Sequence, residues 1–470
     1  MKILLINPPV RNMISLETPA FIKRNEGMFP PLGLMYIAAY LKEHVNYDVR
    51  ILDAVAENIS VADIEKAIRG FCPGIIGIMA HTQNLVDVVS VVNAARRVNH
   101  DVFICLGGPH ARIYPYESLD IPGVDYVIPG EGEVTFAELV KAIGEKRDPA
   151  GIKGLVFRRG GRPVSTGDPE IIDDLDRLPF PDRESIDNAR YYNVLGEKSV
   201  ITTISTGRGC PYACSFCSTP KGRYRARSPL NVVGEIEECV KSGIEEIHII
   251  DDTFNVDVDR VLGICDEIEK RGLSFRWSFR GRIDKVTDRM LERVKACGCH
   301  RIHLGVETCS DEGLKMLKKG ITADQIVTAF GAARAAGIST VGYFMIGCPH
   351  ERKKDDIKRT IDFALKLDPD FAFFNILVPY PGTELYADAM NRGLIPFDRW
   401  RDFAAAPKAN FRPSLWGEFF GEKELTGLLN AAYRKFYFRP KVMFRMLNKP
   451  QGTGLLLKRI KAGLEMLMEG

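Results

Sequence analysis

The sequence predicts an α/β protein: an N-terminal doubly wound parallel sheet, a partial (β/α)6 barrel after it, and a helical C-terminal extension. Two patterns carry that expectation. Apolar or β-branched runs of strand length alternate with stretches of helical period through most of the 470 residues. An acidic, proline-broken stretch at 173–183 separates two such series, as linkers do. The units are therefore read as 1–150, a joint at 151–198, the barrel at 199–395 and the extension at 396–470.

In the first series, strand-like runs stand at 2–6, 48–52, 75–79, 102–106 and 126–128. Helix-like segments lie between them near 30–41, 61–70, 85–98 and 135–143. Open sheets of this kind bind ligands at the carboxyl ends of their strands. The unusual residues gather there: Asn7-Pro8-Pro9, His81-Thr82-Gln83-Asn84, Gly107-Gly108-Pro109-His110 and Gly130-Glu131-Gly132-Glu133. Glycines after strands let a backbone approach a flat or phosphorylated ligand, although a tight turn explains Gly107-Gly108 equally well. Within the joint, 154–158 and 162–164 pattern as a small hairpin around Arg159-Gly160-Gly161.

The second series has strand-like runs at 200–206, 246–250, 274–279, 301–304, 340–346 and 371–377. Helix-like runs at 230–241, 258–271, 288–297, 324–336 and 355–367 fill the gaps. In barrels, functional residues also sit at the carboxyl ends of strands. After the first strand comes Gly207-Arg208-Gly209-Cys210-Pro211-Tyr212-Ala213-Cys214-Ser215-Phe216-Cys217, a C-x3-C-x2-C loop. Three thiolates at this spacing suit an iron–sulfur cluster with one iron left open. A structural zinc site would show a fourth Cys or a His at short range. The nearest following candidates, Cys239 and His248, stand in helix-like and strand-like sequence. The plain alternative is three ordinary cysteines in a reducing cytosol.

The other strand ends supply Asp251-Asp252, Arg280 and Arg282, Glu307, Gly347 and Val378-Pro379. Paired carboxylates there bind an ammonium or cap the next helix. Guanidinium forks suit a carboxylate or a phosphate, with surface ion pairs as the rival use. Tyr343, Cys348 and Tyr380 are candidates to face a substrate, with core packing an equal alternative. Cys72, Cys105, Cys239 and Cys265 read as core, and Cys297, Cys299 and Cys309 do not group into a second cluster.

The C-x3-C-x2-C loop, with Phe216 before its last cysteine, resembles the signature of radical S-adenosylmethionine (SAM) enzymes. The resemblance implies that Cys210, Cys214 and Cys217 hold a 4Fe-4S cluster whose open iron chelates SAM. An electron from the cluster then cleaves SAM to a 5′-deoxyadenosyl radical. It implies SAM contacts from Asp251, Asp252, Arg280, Arg282 and Glu307, with Gly347, Val378 and Pro379 along the adenosine.

The domain order, with Pro30-Pro31-Leu32-Gly33, Gly107-Gly108-Pro109-His110, Gly130-Glu131-Gly132-Glu133 and Leu178-Pro179-Phe180-Pro181-Asp182, resembles the B12-binding branch of that family over nearly the whole chain. This implies a Rossmann-like first domain that binds cobalamin near Asn7, Pro8, His81, Thr82, Gly107, Gly108, His110, Gly130 and Glu131. One departure matters. Where many such domains carry Asp-x-His-x-x-Gly, this chain reads Asn7-Pro8-Pro9-Val10-Arg11-Asn12, without a histidine for cobalt. His81 and His110 remain as lower-face neighbours, against a plain hydrogen-bonding role, and a scaffold that has lost its cofactor is the alternative.

A net charge of +3 leaves no strong nucleic-acid footprint. Eleven cysteines, an odd number in a long chain, do not form a secreted disulfide framework. No signal peptide is read, and no apolar run reaches the roughly 20 residues of a spanning helix. A cytoplasmic protein is expected. The basic, aromatic segment 430–447 and the run of Leu455, Leu456, Ile460, Leu464 and Leu467 against Lys458, Arg459 and Lys461 suit peripheral membrane contact or packing on the barrel.

The resemblance thus implies a cobalamin-dependent radical SAM methyltransferase acting on an unactivated carbon of a small or lipophilic substrate. A reductase, flavodoxin or ferredoxin would be its electron donor. Radical cyclisation or rearrangement, as in the anaerobic porphyrin-ester cyclase, is the alternative chemistry. A non-catalytic cobalamin or iron–sulfur sensor is the alternative class, against which stand the three cysteines and the lack of an output module.

Overall fold

Apolar runs of strand length suit parallel strands, and parallel pairs make up most of the two larger of the three sheets among the described residues. The computed structural model describes residues 1–14, 27–196, 198, 200–219 and 223–448. Two units divide it. The first comprises Met1–Ser15, Pro30–Arg190 and Phe397–Pro413; the second comprises Leu16–Phe29, Tyr191–Pro396 and Ser414–Gly470.

The first unit has strands β1 (Lys2–Asn7), β2 (Asp48–Asp53), β3 (Ile75–Met79), β4 (Phe103–Gly107), β5 (Tyr126–Ile128), β6 (Val156–Arg159) and β7 (Arg162–Ser165). They form one sheet in the order β2-β1-β3-β4-β5-β6-β7. β1 pairs in parallel with β2 on one side and β3 on the other, so the strand order reverses there. That reversal is where doubly wound sheets open a ligand crevice. Helices Leu32–His44 and Gly132–Gly144 pack on each other, as do Val61–Phe71 and Leu85–Val98. A Cβ on Gly77 of β3 would lie 2.9 Å from Leu5 and 3.1 Å from Phe136, so glycine permits the helix carrying Phe136 to pack closely.

Two boundaries differ from the sequence reading. The hairpin β6–β7 is part of the first sheet, because β6 pairs antiparallel with β5 at Tyr126↔Phe157 and Val127↔Val156. Residues 397–413 also belong to the first unit. Trp400 and Phe403 pack around Phe411 at 5.0 and 4.5 Å between ring centroids. Arg401 Nε pairs with Glu117 Oε1 at 3.0 Å. Asp398 Oδ1 likewise accepts from Tyr114 Oη at 3.3 Å, and contacts 284 residues apart leave no local signal.

The second unit has β8 (Ile201–Ile204), β9 (Gly207–Arg208), β10 (Arg225–Ala226), β11 (Glu246–Ile249), β12 (Arg276–Gly281), β13 (Cys299–Glu307), β14 (Ser339–Ile346) and β15 (Phe371–Ile376). Six of them make a parallel sheet in the order β15-β14-β13-β12-β11-β8, an open barrel with edges at β8 and β15. Strand pleating sorts the side chains. Ile247, Ile249, Trp277, Phe279, Ile302, Leu304, Phe344, Ile346, Phe374 and Ile376 enter one core with the surrounding helices. The alternating positions, among them His248, Arg280, His303, Tyr343 and Phe373, fall on the opposite, inner face.

Helix Glu422–Tyr437 covers the β15 edge. Tyr433 Oη donates to Phe374 O at 3.0 Å and accepts from Phe374 N at 3.2 Å. Tyr437 Oη does the same at Ala372, at 2.9 and 3.1 Å. The basic residues that follow are paired within the unit. Lys435 meets Asp362 at 2.5 Å, and Arg439, Lys441 and Arg445 meet Asp368 at 3.2, 2.7 and 3.2 Å. Over its described residues the segment packs on the barrel; the amphipathic run at 455–468 lies outside them. Among the described residues no helix is long and apolar enough to cross a membrane.

Candidate active site

The cysteine loop leaves β8 through the short antiparallel pair β9–β10. Gly209 has φ +81°, and a Cβ there would lie 2.7 Å from Arg223 O, so the turn requires glycine. Ser215 pins the loop at both backbone groups. Its N–H donates to Leu317 O at 3.0 Å, and its carbonyl accepts from Leu385 N at 2.9 Å. Cys217 N donates to Cys214 O at 3.2 Å, closing the turn between the last two cysteines.

Cys210, Cys214 and Cys217 are half-buried free thiols. Burial pushes the Cys214 thiol up, and the Lys319 and Arg282 cations oppose it. Among the described residues, no three Cys, His, Asp or Glu side chains converge on one point as a single-ion site demands. A cuboidal cluster asks for something else, one soft thiolate at each of three separate irons. Three thiols free of disulfides on one pinned loop, with Cys210 Sγ 3.7 Å from Thr253 Oγ1 and two cations near Cys214 to offset thiolate charge, fit that group.

Around the loop, several candidates have other partners. The buried Asp251 carboxylate accepts from Thr206 N at 2.6 Å and from Thr206 Oγ1 at 2.5 Å. It ties the end of β11 to the entrance of the cysteine loop, so it is not an open ammonium ligand. Asp252 is the exposed carboxylate, touched by Thr219 Oγ1 at 3.1 Å. Arg282 is likewise occupied. Its Nε pairs with Asp284 Oδ1 at 2.7 Å, its Nη2 donates to Lys319 O at 2.6 Å, and its guanidinium lies 3.6 Å from the centroid of the Tyr212 ring. It positions the loop through Tyr212. Arg280, by contrast, is exposed.

Glu307 ends β13 with φ +67°, beyond a register shift at Gly305. Lys319 Nζ donates to its Oε1 at 2.6 Å and lies 5.8 Å from the Phe216 ring centroid. A Cβ on Gly305 would lie 2.5 Å from Glu307 Oε1 and 2.6 Å from Lys319 Nζ, displacing the pair. Sequence reasoning missed Lys319, since it follows a helix and no strand-end rule points to it.

Gly347, at φ +75°, turns the chain after β14. The next residue corrects an expectation: Cys348 is buried, its N–H donates to Glu351 Oε2 at 2.9 Å, and burial raises its thiol well above the ordinary range. Cys348 is packing rather than an open thiol. Val378 and Pro379 are buried just beyond β15, where Leu377 N donates to Ile346 O at 2.9 Å. Tyr380 is half-buried and its carbonyl accepts from Thr383 Oγ1 at 2.6 Å. Half-buried Tyr343 shares a 2.9 Å hydrogen bond with His303 Nδ1.

In the first unit the four predicted loops stand at the carboxyl ends of β1, β3, β4 and β5. Asn7 Nδ2 donates to Asp53 Oδ1 at 2.7 Å, and Pro8 is buried beside it. Thr82 Oγ1 and His110 Nδ1 are 3.0 Å apart, while the buried His110 Nε2 has no partner among the described residues. Burial lowers the pKa of His81 and brings that of His110 to about 4, so both rings are neutral at pH 7. His81 N donates to Asn84 Oδ1 at 3.0 Å. Gly108 has φ +102°, and a Cβ there would meet Ala80 O at 2.9 Å, whereas one on Gly107 would meet open space. An open glycine backbone and an orphaned buried imidazole nitrogen fit a large flat group such as a corrin. Gly130 has a different reason to be glycine: a Cβ would lie 2.3 Å from Pro169 Cγ. Glu131 is half-buried at the start of helix Gly132–Gly144.

Two family models match the chain, the radical SAM superfamily over residues 204–364 and the B12 binding domain over 21–140. An uncharacterized methyltransferase, PH0819, of Pyrococcus horikoshii is 34% identical over 470 residues, which cover 99% of this chain and 98% of the relative. The anaerobic magnesium-protoporphyrin IX monomethyl ester cyclase of Rubrivivax gelatinosus is 28% identical over 87% of this chain and 74% of its own. Among solved structures, the radical SAM methyltransferase TsrM from Kitasatospora setae, with cobalamin and a [4Fe-4S] cluster bound, superposes with a TM-score of 0.74. It shares 19% identity and covers 100% of this chain and 99% of its own, a likeness of fold.

Proposed function

The chain belongs to the radical SAM superfamily, to its members with a B12-binding domain, and on that premise we propose that it methylates an unactivated carbon of a small or lipophilic substrate. Its cofactors are those of this family: a 4Fe-4S cluster, SAM and cobalamin. When bound, the cluster and SAM supply a hydrogen-abstracting radical and cobalamin supplies a transferable methyl group.

The chain's own part is to hold and to exclude. Cys210, Cys214 and Cys217 ligate the cluster on a loop that Ser215, Asp251 and Arg282 hold rigid. Asp252 and the Glu307–Lys319 pair are the polar groups offered to the amino-acid and ribose parts of SAM. Buried Val378 and Pro379, beside the Gly347 turn, form an apolar wall for the adenosine. In the first unit, Gly107, Thr82 and His110 line the place for the corrin, with no histidine from the loop after β1. The observation that carries the reading is the pinned loop of three thiols free of disulfides, with Lys319 and Arg282 beside Cys214.

The protein is expected in the cytoplasm, with a flavodoxin, ferredoxin or dedicated reductase as electron donor. The ion pairs of Lys435, Arg439, Lys441 and Arg445 favour packing over membrane contact for their segment. A second reading, radical cyclisation, has one specific support, the likeness to the ester cyclase over 87% of the chain.

The test is an anaerobic preparation from cells supplied with cobalamin, in which iron and corrinoid are counted and 5′-deoxyadenosine is measured after reduction. About four irons per chain are expected, with a labelled methyl group passing from SAM to a carbon product. Iron at the same level in the C210A/C214A/C217A protein would reject the reading. Deoxyadenosine formed by a protein that holds no corrinoid would remove methyl transfer and leave cyclisation.

A further inference from the structure

The inner face of the barrel carries a row of rings from β11, β13, β14 and β15. His248 of β11 and His303 of β13 have ring centroids 4.9 Å apart. His303 and Tyr343 of β14 stack at 6.0 Å, and Tyr343 and Phe373 of β15 at 5.4 Å, with only 17° between the last two planes. Phe29 closes the other end, 5.9 Å from His248.

Each histidine has one fixed partner. His248 Nδ1 is 2.9 Å from Ser278 Oγ, and His303 Nδ1 is 2.9 Å from Tyr343 Oη. His303 is 6% exposed, and its Nε2 has no hydrogen-bond partner among the described residues. A buried imidazole nitrogen left in that state costs free energy unless a ligand or water supplies the bond. Burial, then neighbouring positive charge, keeps both rings neutral, His248 with a pKa of about 3. The wall can therefore offer hydrogen bonds from its rings but not charge.

Two cations act on these rings, the buried Arg301, two positions before His303, and the solvent-open Arg280. Arg280 stands beside His303 in the β12–β13 register. Its positive field reaches His248, His303 and Tyr343. It is exposed and has no ion pair among the described residues, whereas Arg282, two positions on, is stacked and paired.

We infer that this wall binds the substrate through an oxyanion, a carboxylate or a phosphate. Arg280 takes the anion in its fork, His303 Nε2 completes its hydrogen bonds, and the Tyr343–Phe373 pair covers a flat apolar part of the molecule. Arg280 then serves the substrate, not SAM. The inference rests on the proposed radical SAM reading only for what becomes of the molecule once bound.

The test titrates anaerobic, cluster-loaded protein with benzoate, phenyl phosphate and neutral benzyl alcohol, followed by ligand-observed NMR. Benzoate or phenyl phosphate, whichever binds more tightly, identifies the anion. Arg280→Gln should weaken that probe about tenfold or more, and Arg280→Lys, with charge but no fork, should recover part of the loss. Benzyl alcohol should bind both proteins alike. Iron content and SAM affinity of R280Q should stay at the wild-type values. Equal binding of the anionic probe by wild type and R280Q would overturn the inference, as would a fall in SAM affinity with the anion unaffected. The two readings fail separately: wild-type protein without iron ends the proposed function, whereas this inference ends on the titration.

Discussion

Asp251 and Asp252 are neighbours in sequence with opposite duties. Asp251 is buried and accepts two hydrogen bonds from Thr206, so Asp251→Asn keeps the one from Thr206 N but must reverse the other, its amide N–H₂ donating to the Thr206 hydroxyl, and the carboxylate charge is lost. A cost of about 1–3 kcal/mol is expected, read as a lower urea midpoint and a lower iron yield. Asp252 is exposed. Asp252→Asn should leave the midpoint where it is and weaken SAM binding. The reverse pattern, stability lost at Asp252 and SAM affinity lost at Asp251, would contradict the assignment. The sequence made the position of both carboxylates legible, since they follow a strand, but not their partners. Thr206 lies 45 residues from Asp251, and no local pattern records a bond across two strands. Lys319 was invisible for a related reason: its partner Glu307 is 12 residues back, across a helix.

At the scale of elements, the turn after β14 contains a buried carboxyl with a pH dependence that can be signed. Glu351 accepts from Cys348 N and is 3.4 Å from Thr360 Oγ1. Burial lifts its pKa from the ordinary 4.5 to about 7. The folded chain thus holds this proton more tightly than the unfolded chain. The contribution is complete below the unfolded value and is lost as pH rises through the folded one. The loss is on the order of 3 kcal/mol. Glu351→Gln has no such proton, so between pH 5 and 8 the urea midpoint of the wild type should fall further than that of the variant. Parallel profiles would show that Glu351 does not titrate in this range. The β15 edge makes a second case. Tyr433→Phe deprives Phe374 N and O of their hydroxyl partner, and about 1–3 kcal/mol should go with it. Alternation and length made most strands of both sheets legible. The capping of an edge by two tyrosines was not, because Tyr433 and Tyr437 on a basic, aromatic helix look the same whether they face a membrane or a strand.

Over the whole molecule, two units with separate cores assign the cofactors to separate stretches of chain. The thiol loop lies in 191–396, while Gly107, Gly108 and His110 lie in 30–190. Loading should therefore dissociate in both directions. The C210A/C214A/C217A protein should lose its iron and keep its corrinoid, because no residue of the first unit's core is altered. Gly108→Val should do the opposite. A side chain at φ +102° is strained, and its Cβ would press on Ala80 O from 2.9 Å, so the turn at the end of β4 must shift. Its cost falls on the loop that presents His110 and leaves the barrel untouched. Corrinoid content should drop about tenfold if the shift costs as little as ~1.4 kcal/mol of binding, with iron at the wild-type level. Joint loss of iron and corrinoid in either variant would mean that one unit cannot load without the other. The cofactor sites would then be coupled parts of one assembly, and the assignment of each to its own core would fall.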